Sequence, residues 1–283
     1  MATYDIPLEI SPLKKLISDF SLSCGYDPMT VFTDFLTYVI HGFSPGAPPL
    51  KNWKYKRRTT EWVRLMHSRL KDDESWYDPF GDLYMALSSR TGQRMQGQFF
   101  TPPPICELMA ACGGNGEKVR GKRMNDPTCG SGRLLLAFHV RNLGNYLIGE
   151  DLNHTCCLMT VCNMLIHGCV GEVIHHDSLN PDHFLCGWYV NISLTRTGIP
   201  SIRRMSEADY RLTHASANGS VIAAVILAET KRNADVSEII RGGYNFFSTK
   251  RKRTGCTLYQ KIRIVFTTCN KDLANKNLPD RNN

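Results

Sequence analysis

The chain has 283 residues, 42% hydrophobic and 21% charged, enough to bury a sizeable core in one principal domain. Its longest uninterrupted apolar run, residues 221–228, is far short of the roughly 20 residues of a membrane helix, and its start carries Asp5 and Glu9 instead of a basic segment leading into an apolar one. A cytoplasmic protein without membrane association is expected; its 11 cysteines, odd in number and without a C-x-x-C pair, read as small core hydrophobes of a reducing compartment.

In chain order, residues 1–92 read as a helical region. VFTDFLTYVIHGF (31–43) and TEWVRLMHSRL (60–70) space their apolar groups at helical period, separated by the turn-forming SPGAPPL. Residues 93–230 change character: KRMND, GRLLLAFHV, YLIGED, TCCLMTVCNMLIHG and GEVIHHD alternate short strands with helices, which predicts a parallel sheet of βαβ units. Periodicity fades past residue 212, and residues 231–283 read as a basic, partly disordered tail. The whole net charge of +8 sits there: the tail has 12 Lys/Arg against 4 Asp/Glu, while residues 1–230 have 22 of each. Such a tail suits nucleic acid or an acidic partner, and a merely solvated end has the same composition.

In a βαβ unit a ligand sits beyond the carboxyl ends of the strands, at the first strand-to-helix turn. Here that turn is DPTCGSG (126–132), where Gly130 and Gly132 would admit close backbone approach and Ser131 is small. Asp151 follows Gly132 by 19 residues at the end of YLIGED, the distance at which an acid accepts hydrogen bonds from a ribose. Glu150 is the neighbour that could take that role or lie exposed. Asp177 closes the next strand, where a carboxylate could meet an adenine amino group. The turn lacks the Lys-Ser/Thr ending of a phosphate loop and opens with Asp126, which would repel phosphate. A zwitterionic ligand with ribose and adenine, such as S-adenosylmethionine, fits better.

GQFFTPPPICELM (97–109), DPTCGSGRLLLAF (126–138), GEDLN (149–153) and NMLIHG (163–168), in this order, resemble the adenine-N6 DNA methyltransferases, and within them the modification subunits of type I restriction systems. The resemblance covers about residues 95–178. It implies S-adenosylmethionine as cofactor, DNA as partner, a separate specificity subunit, and a Rossmann-like, mostly parallel sheet of seven strands behind an N-terminal helical region. By the same resemblance Phe100, Thr101 and Pro102 contact the methionine end of the cofactor. The turn through Asp126, Thr128, Gly130 and Gly132 approaches its carboxylate, amino and ribose groups, Asp151 binds the ribose hydroxyls and Asp177 the adenine.

One family motif is missing from the sequence. Adenine methylation needs a flipped base whose amine is held by acceptors and whose ring stacks on an aromatic, supplied in the family by Asn or Asp, Pro, Pro and an aromatic after the fourth strand. Pro-Pro occurs here only at 48–49 and within 102–104, ahead of the cofactor turn. The nearest imitation, SLNPDHF with Asn180 and Pro181, starts too soon after Asp177 and reads as a turn. The sequence therefore leaves open a methyltransferase on DNA adenine, an inactive cofactor- or DNA-binding remnant, and a methyltransferase of another substrate. His175, His176, Asp177 and His183 match no standard metal-ligand spacing, so no metal is expected.

Overall fold

The computed structural model describes residues 10–47, 76–88, 100–112, 118–180 and 182–214. The helix expected at 60–70, residues 97–99 of the first motif, Pro181 and the basic tail lie outside these residues.

Helix α1 (Ser11–Cys24) is followed by α2 (Pro28–Gly42), which starts where the Asp27 carboxylate accepts from the backbone N–H groups of Met29 and Thr30. Its buried Val31, Phe32, Phe35, Leu36, Val39 and Ile40 recur at three- and four-residue spacing, the stripe read from the sequence. Helix α3 (Pro79–Leu87) repeats the capping device: Asp78 accepts from Gly81 N–H at 2.7 Å and Pro79 occupies the first turn, where its missing N–H costs nothing. Helix α4 (Pro103–Cys112) starts behind Pro102. Then β1 (Arg123–Asp126), α5 (Arg133–Arg141), β2 (Tyr146–Asp151), α6 (His154–His167) and β3 (Val170–His176) form the alternating unit, with β1 to β2 and β2 to β3 paired in parallel as expected.

The sheet then departs from the mostly parallel expectation. The strands β4 (Phe184–Val190) and β5 (Ile202–Met205), the latter reached through the short helix α7 (Leu194–Thr197), both pair antiparallel, and the spatial order simply follows chain order from β1 to β5. The cause is connection length. Residues 177–183 are too few for a crossover, which takes about a dozen or more residues, so β4 can only double back along β3. Among the described residues β1 consequently stands at the sheet edge.

Helix α6 is the centre of the molecule. Every residue from Cys156 to Ile166 is buried, because one side lies on the sheet and the other meets the N-terminal helices. That two-sided burial explains cysteines where a surface helix would have charge: Cys156, Cys157 and Cys162 are packed, free thiols. At the far edge, the Ile202 N–H donates to the Phe43 carbonyl, so the loop after α2 also holds β5. The opposite face is covered by α8 (Glu207–His214), whose Tyr210 packs on Ile148, Ile174, Tyr189 and Met205.

A buried ionic node binds these layers together. Asp78, 3% exposed, accepts from Arg133 Nε at 2.6 Å, Ser131 Oγ at 2.5 Å and Asn163 Nδ2 at 2.7 Å, besides capping α3. Arg133 also pairs with Asp82 at 2.7 Å. Gly81 is a glycine for this reason, since a Cβ there would lie inside the Asp78 carboxylate. Removing one partner from a buried ion pair strands the other, at about 3–5 kcal/mol. Asp78→Ala is expected to lower the urea midpoint by a free energy of that size, measured by circular dichroism; a change below about 1 kcal/mol would refute a structural role for the node.

Candidate functional site

The turn after β1 is built from backbone and carboxylates. The Asp126 carboxylate accepts from Thr128 N–H at 3.2 Å, and the Cys129 N–H donates across to the Glu150 carbonyl at 2.8 Å, hanging the turn on the end of β2. Gly130 N–H donates to Asp151 Oδ2 at 2.8 Å, while Asn153 N–H donates to Asp151 Oδ1 at 2.7 Å. Thr160 of α6 donates its hydroxyl to the Gly130 carbonyl at 2.9 Å, fixing the turn from below. From the third strand, Ser178 Oγ donates to the Pro127 carbonyl at 2.6 Å, so the loops after β1 and β3 meet over the end of β2. Asp177, half-buried in that loop, accepts from Leu179 N–H at 2.9 Å.

The two glycines leave room for neighbouring side chains. Gly130 and Gly132 have φ of 56° and 87°, a region costly for residues with a side chain. The volume a Cβ would fill is taken by protein: Phe100 Cδ1 lies 2.9 Å from that position at Gly130, and Thr160 3.1 Å from it at Gly132. The glycines let Phe100 and α6 close on the turn. Phe100 in turn leans on Tyr84, with centroids 5.5 Å apart, and lies beneath the Arg133 guanidinium at 5.6 Å. Thr101 and Pro102, next in the chain, are exposed.

Of the two acids at the end of β2, Asp151 faces the turn and Glu150 does not. Successive residues of a strand point to opposite faces. Glu150 is buried on the α8 side, where Asn125 Nδ2 donates to it at 3.0 Å and His176 Nε2 lies at 3.0 Å. Burial pushes its carboxyl up, but bonds from His176, Asn125 and Ser178 and the His176 charge outweigh that and hold it below the ordinary range. Asp126 and Asp151 go the other way. Burial raises both; at Asp126 the nearby Asp151 and Glu150 charges raise it further against the Thr128 N–H, and at Asp151 the donors from Asn153 and Gly130 offset only part of the burial.

Asn180 sits in the β3–β4 turn, exposed, with its N–H donated to the Asp177 carbonyl at 2.8 Å and its carbonyl accepting from His183 N–H at 3.1 Å. Another asparagine, Asn191, does follow the fourth strand. Because β4 runs antiparallel, it lies at the opposite end of the sheet from the turn, beyond the Val190–Gly171 pair. It is fully buried, and its amide spans the carbonyls of Met164, Leu165 and Cys169 at 3.0–3.3 Å. It closes the end of α6.

The sequence reading missed Asp78, Arg133 and Asn163 as supports of the turn. The Asp78-Pro79 pair carries a legible helix-start signal, but nothing local announces that the same carboxylate reaches Ser131 and Arg133, more than fifty residues on.

Residues 75–194 match the protein family described as N-6 DNA methylase. The type I restriction enzyme MpnII methylase subunit of Mycoplasma pneumoniae is 36% identical over 99 residues, a match that covers 32% of this chain and 18% of that protein. The chain thus matches less than a fifth of that relative's length. No solved structure matches it. Both findings are of similarity to adenine-N6 DNA methylases, and the relative is a restriction-system methylase subunit.

Because the folded pKa of Asp126 is raised, its charge opposes folding at neutral pH, and this penalty disappears below the pKa of the unfolded chain. Asp126→Asn keeps an acceptor for Thr128 N–H and removes the charge. The variant is expected to melt higher than the natural protein at pH 7, with the gap closing near pH 4; a lower melting temperature at pH 7 would contradict this.

Proposed function

We propose that this chain is a DNA adenine-N6 methyltransferase-like protein that binds S-adenosylmethionine over the carboxyl ends of β1, β2 and β3, in a Rossmann-like arrangement, and does not methylate DNA by itself. The observation that carries this reading is the Asp151 carboxylate, oriented by Gly130 and Asn153 and still open to solvent. A carboxylate offers about four acceptor sites, so the bonds from Gly130, Asn153 and Leu152 leave capacity for a ribose hydroxyl. The raised Asp126 supports the same ligand: a buried acid crowded by carboxylates gains from a cationic group, here the ammonium or sulfonium of the cofactor. A phosphate would gain nothing. In this reading Phe100, Thr101 and Pro102 meet the methionine end and Asp177 the adenine.

When bound, the cofactor supplies an electrophilic methyl group. What the chain has to add is capture of the target base, and the sequence lacks the paired acceptors and stacking ring for it. Positioning is most of that chemistry, since about 1 Å of misplacement can cost a hundredfold. DNA as substrate and a specificity subunit as partner are supported by the similarity to a type I restriction enzyme methylase subunit, and DNA also by the basic charge of residues 231–283.

Titration calorimetry should show S-adenosylmethionine binding to the natural protein, and Asp151→Ala should weaken it at least about tenfold, since each charge-assisted bond lost costs on the order of 1.5–3 kcal/mol. Equal affinity would remove Asp151 from the site. In parallel, mass spectrometry of DNA incubated with protein and cofactor should find no N6-methyladenine; abundant product would show that the chain holds a target-base pocket of another design.

A further inference from the structure

On the face of the sheet beneath the start of α6, three side chains from separate elements converge. The ligand atoms of His154, His175 and Cys186 all lie within 4.8 Å of one another. We propose that these three residues bind one zinc ion, tying β3, β4 and the first turn of α6 together beside Asp151. The proposal is independent of the cofactor reading.

Two of the three, joined without metal by a thiol–imidazole hydrogen bond, stand at a spacing that two ligands of one ion also take. Tetrahedral zinc with bonds of about 2.3 Å to sulfur and 2.0–2.1 Å to nitrogen holds the two ligand atoms about 3.6 Å apart. His175 Nδ1 and Cys186 Sγ are 3.6 Å apart. The register makes them partners: His175 on β3 lies opposite Cys186 on β4, both toward α6. The other nitrogen of the same ring, Nε2, lies 3.0 Å from the Leu152 carbonyl. A proton on Nε2 satisfies that carbonyl and leaves the Nδ1 lone pair aimed at the sulfur. Zinc-bound histidines almost always have this arrangement, with the far N–H anchored to a carbonyl or carboxylate.

His154 completes the set from the first position of α6. Its ring lies 5.1 Å from that of His175 and 5.8 Å from that of Trp188, and it is exposed, so a rotamer change can bring a nitrogen onto the ion and solvent can reach it. The Cys186 thiol gives up its proton to solvent as the metal–sulfur bond forms. Arg204, close to Cys186, favours the thiolate and opposes the cation, while the Asp151 charge near His175 acts the other way. One thiolate and two imidazoles select zinc over magnesium or calcium, which demand oxygen ligands. Three protein ligands leave the fourth position to water.

Of the histidines in the sequence run, His175 alone belongs to this site. His176 points to the other face, between Glu150 and Tyr210, and His183 is exposed in the β3–β4 turn.

The test is zinc titration of chelator-treated full-length protein in competition with a chromophoric chelator, with cobalt as the spectroscopic probe. One equivalent should bind, and cobalt should give a thiolate charge-transfer band that Cys186→Ser abolishes. His154→Ala changes only an exposed side chain, so it is expected to fold, and should weaken zinc binding at least about tenfold, no less than the loss of an outer-shell partner. The exposed-thiol variant Cys24→Ser/Cys112→Ser should bind as the natural protein does. No zinc binding, unchanged affinity in His154→Ala, or loss of binding in the exposed-thiol variant would each overturn the proposal.

Discussion

The molecule depends on one buried carboxylate. Asp78 starts a helix outside the alternating unit, yet its two oxygens receive Ser131 from the turn after β1, Arg133 from the start of α5 and Asn163 from α6. Taking a carboxylate and a guanidinium out of water costs several kcal/mol per ion, recovered only with good geometry and satisfied remaining valences. The bonds on Asp78 and the second carboxylate on Arg133 meet that condition. A hydrophobic replacement could hold the layers as tightly. What it could not do is fix the first residues of α5 at a set distance from α3, and hence the pitch of the turn between them.

With the turn fixed, the site can carry strain of an electrostatic kind. Asp126 and Asp151 stay partly buried within reach of one another, at a cost visible in their raised pKa values. The packing around them is closed by hydrocarbon, Phe100 on Gly130 and Thr160 on Gly132, so the acids cannot relax away without opening that contact. For the proposed ligand this matters: stability lost to two carboxylates would be recovered on binding a cation.

A short connection settles the rest. Because the seven residues between β3 and β4 cannot cross the sheet, β4 returns antiparallel and its carboxyl end points away from the turn. An asparagine after that strand therefore closes a helix instead of facing a base. The same reversal puts Cys186 opposite His175, where no spacing rule would look for a ligand pair. One loop length thus puts Asn191 at the far end of the sheet from the turn and sets Cys186 opposite His175.

The sequence by itself determined the local elements and the turn. Helical spacing in 31–43, the alternation from KRMND to GEVIHHD, and the glycine turn with Asp151 at ribose distance were all legible, because capping, periodicity and steric limits act between residues close in the chain. The reading of cysteines as core residues rested on the same ground and holds for Cys156, Cys157 and Cys162, whereas Cys24 and Cys112 are exposed. Tertiary structure alone decided that Asp78 supports Ser131 and Arg133, that Glu150 faces away from Asp151 into the α8 side, that Phe100 and Thr160 occupy the glycine hollows, and that His154, His175 and Cys186 converge. Each of these pairs residues from different elements, and their meeting is set by sheet register and by which face of α6 lies against the strands. Such pairings leave no period or spacing in the chain, since the forces that enforce them act only once the layers have closed.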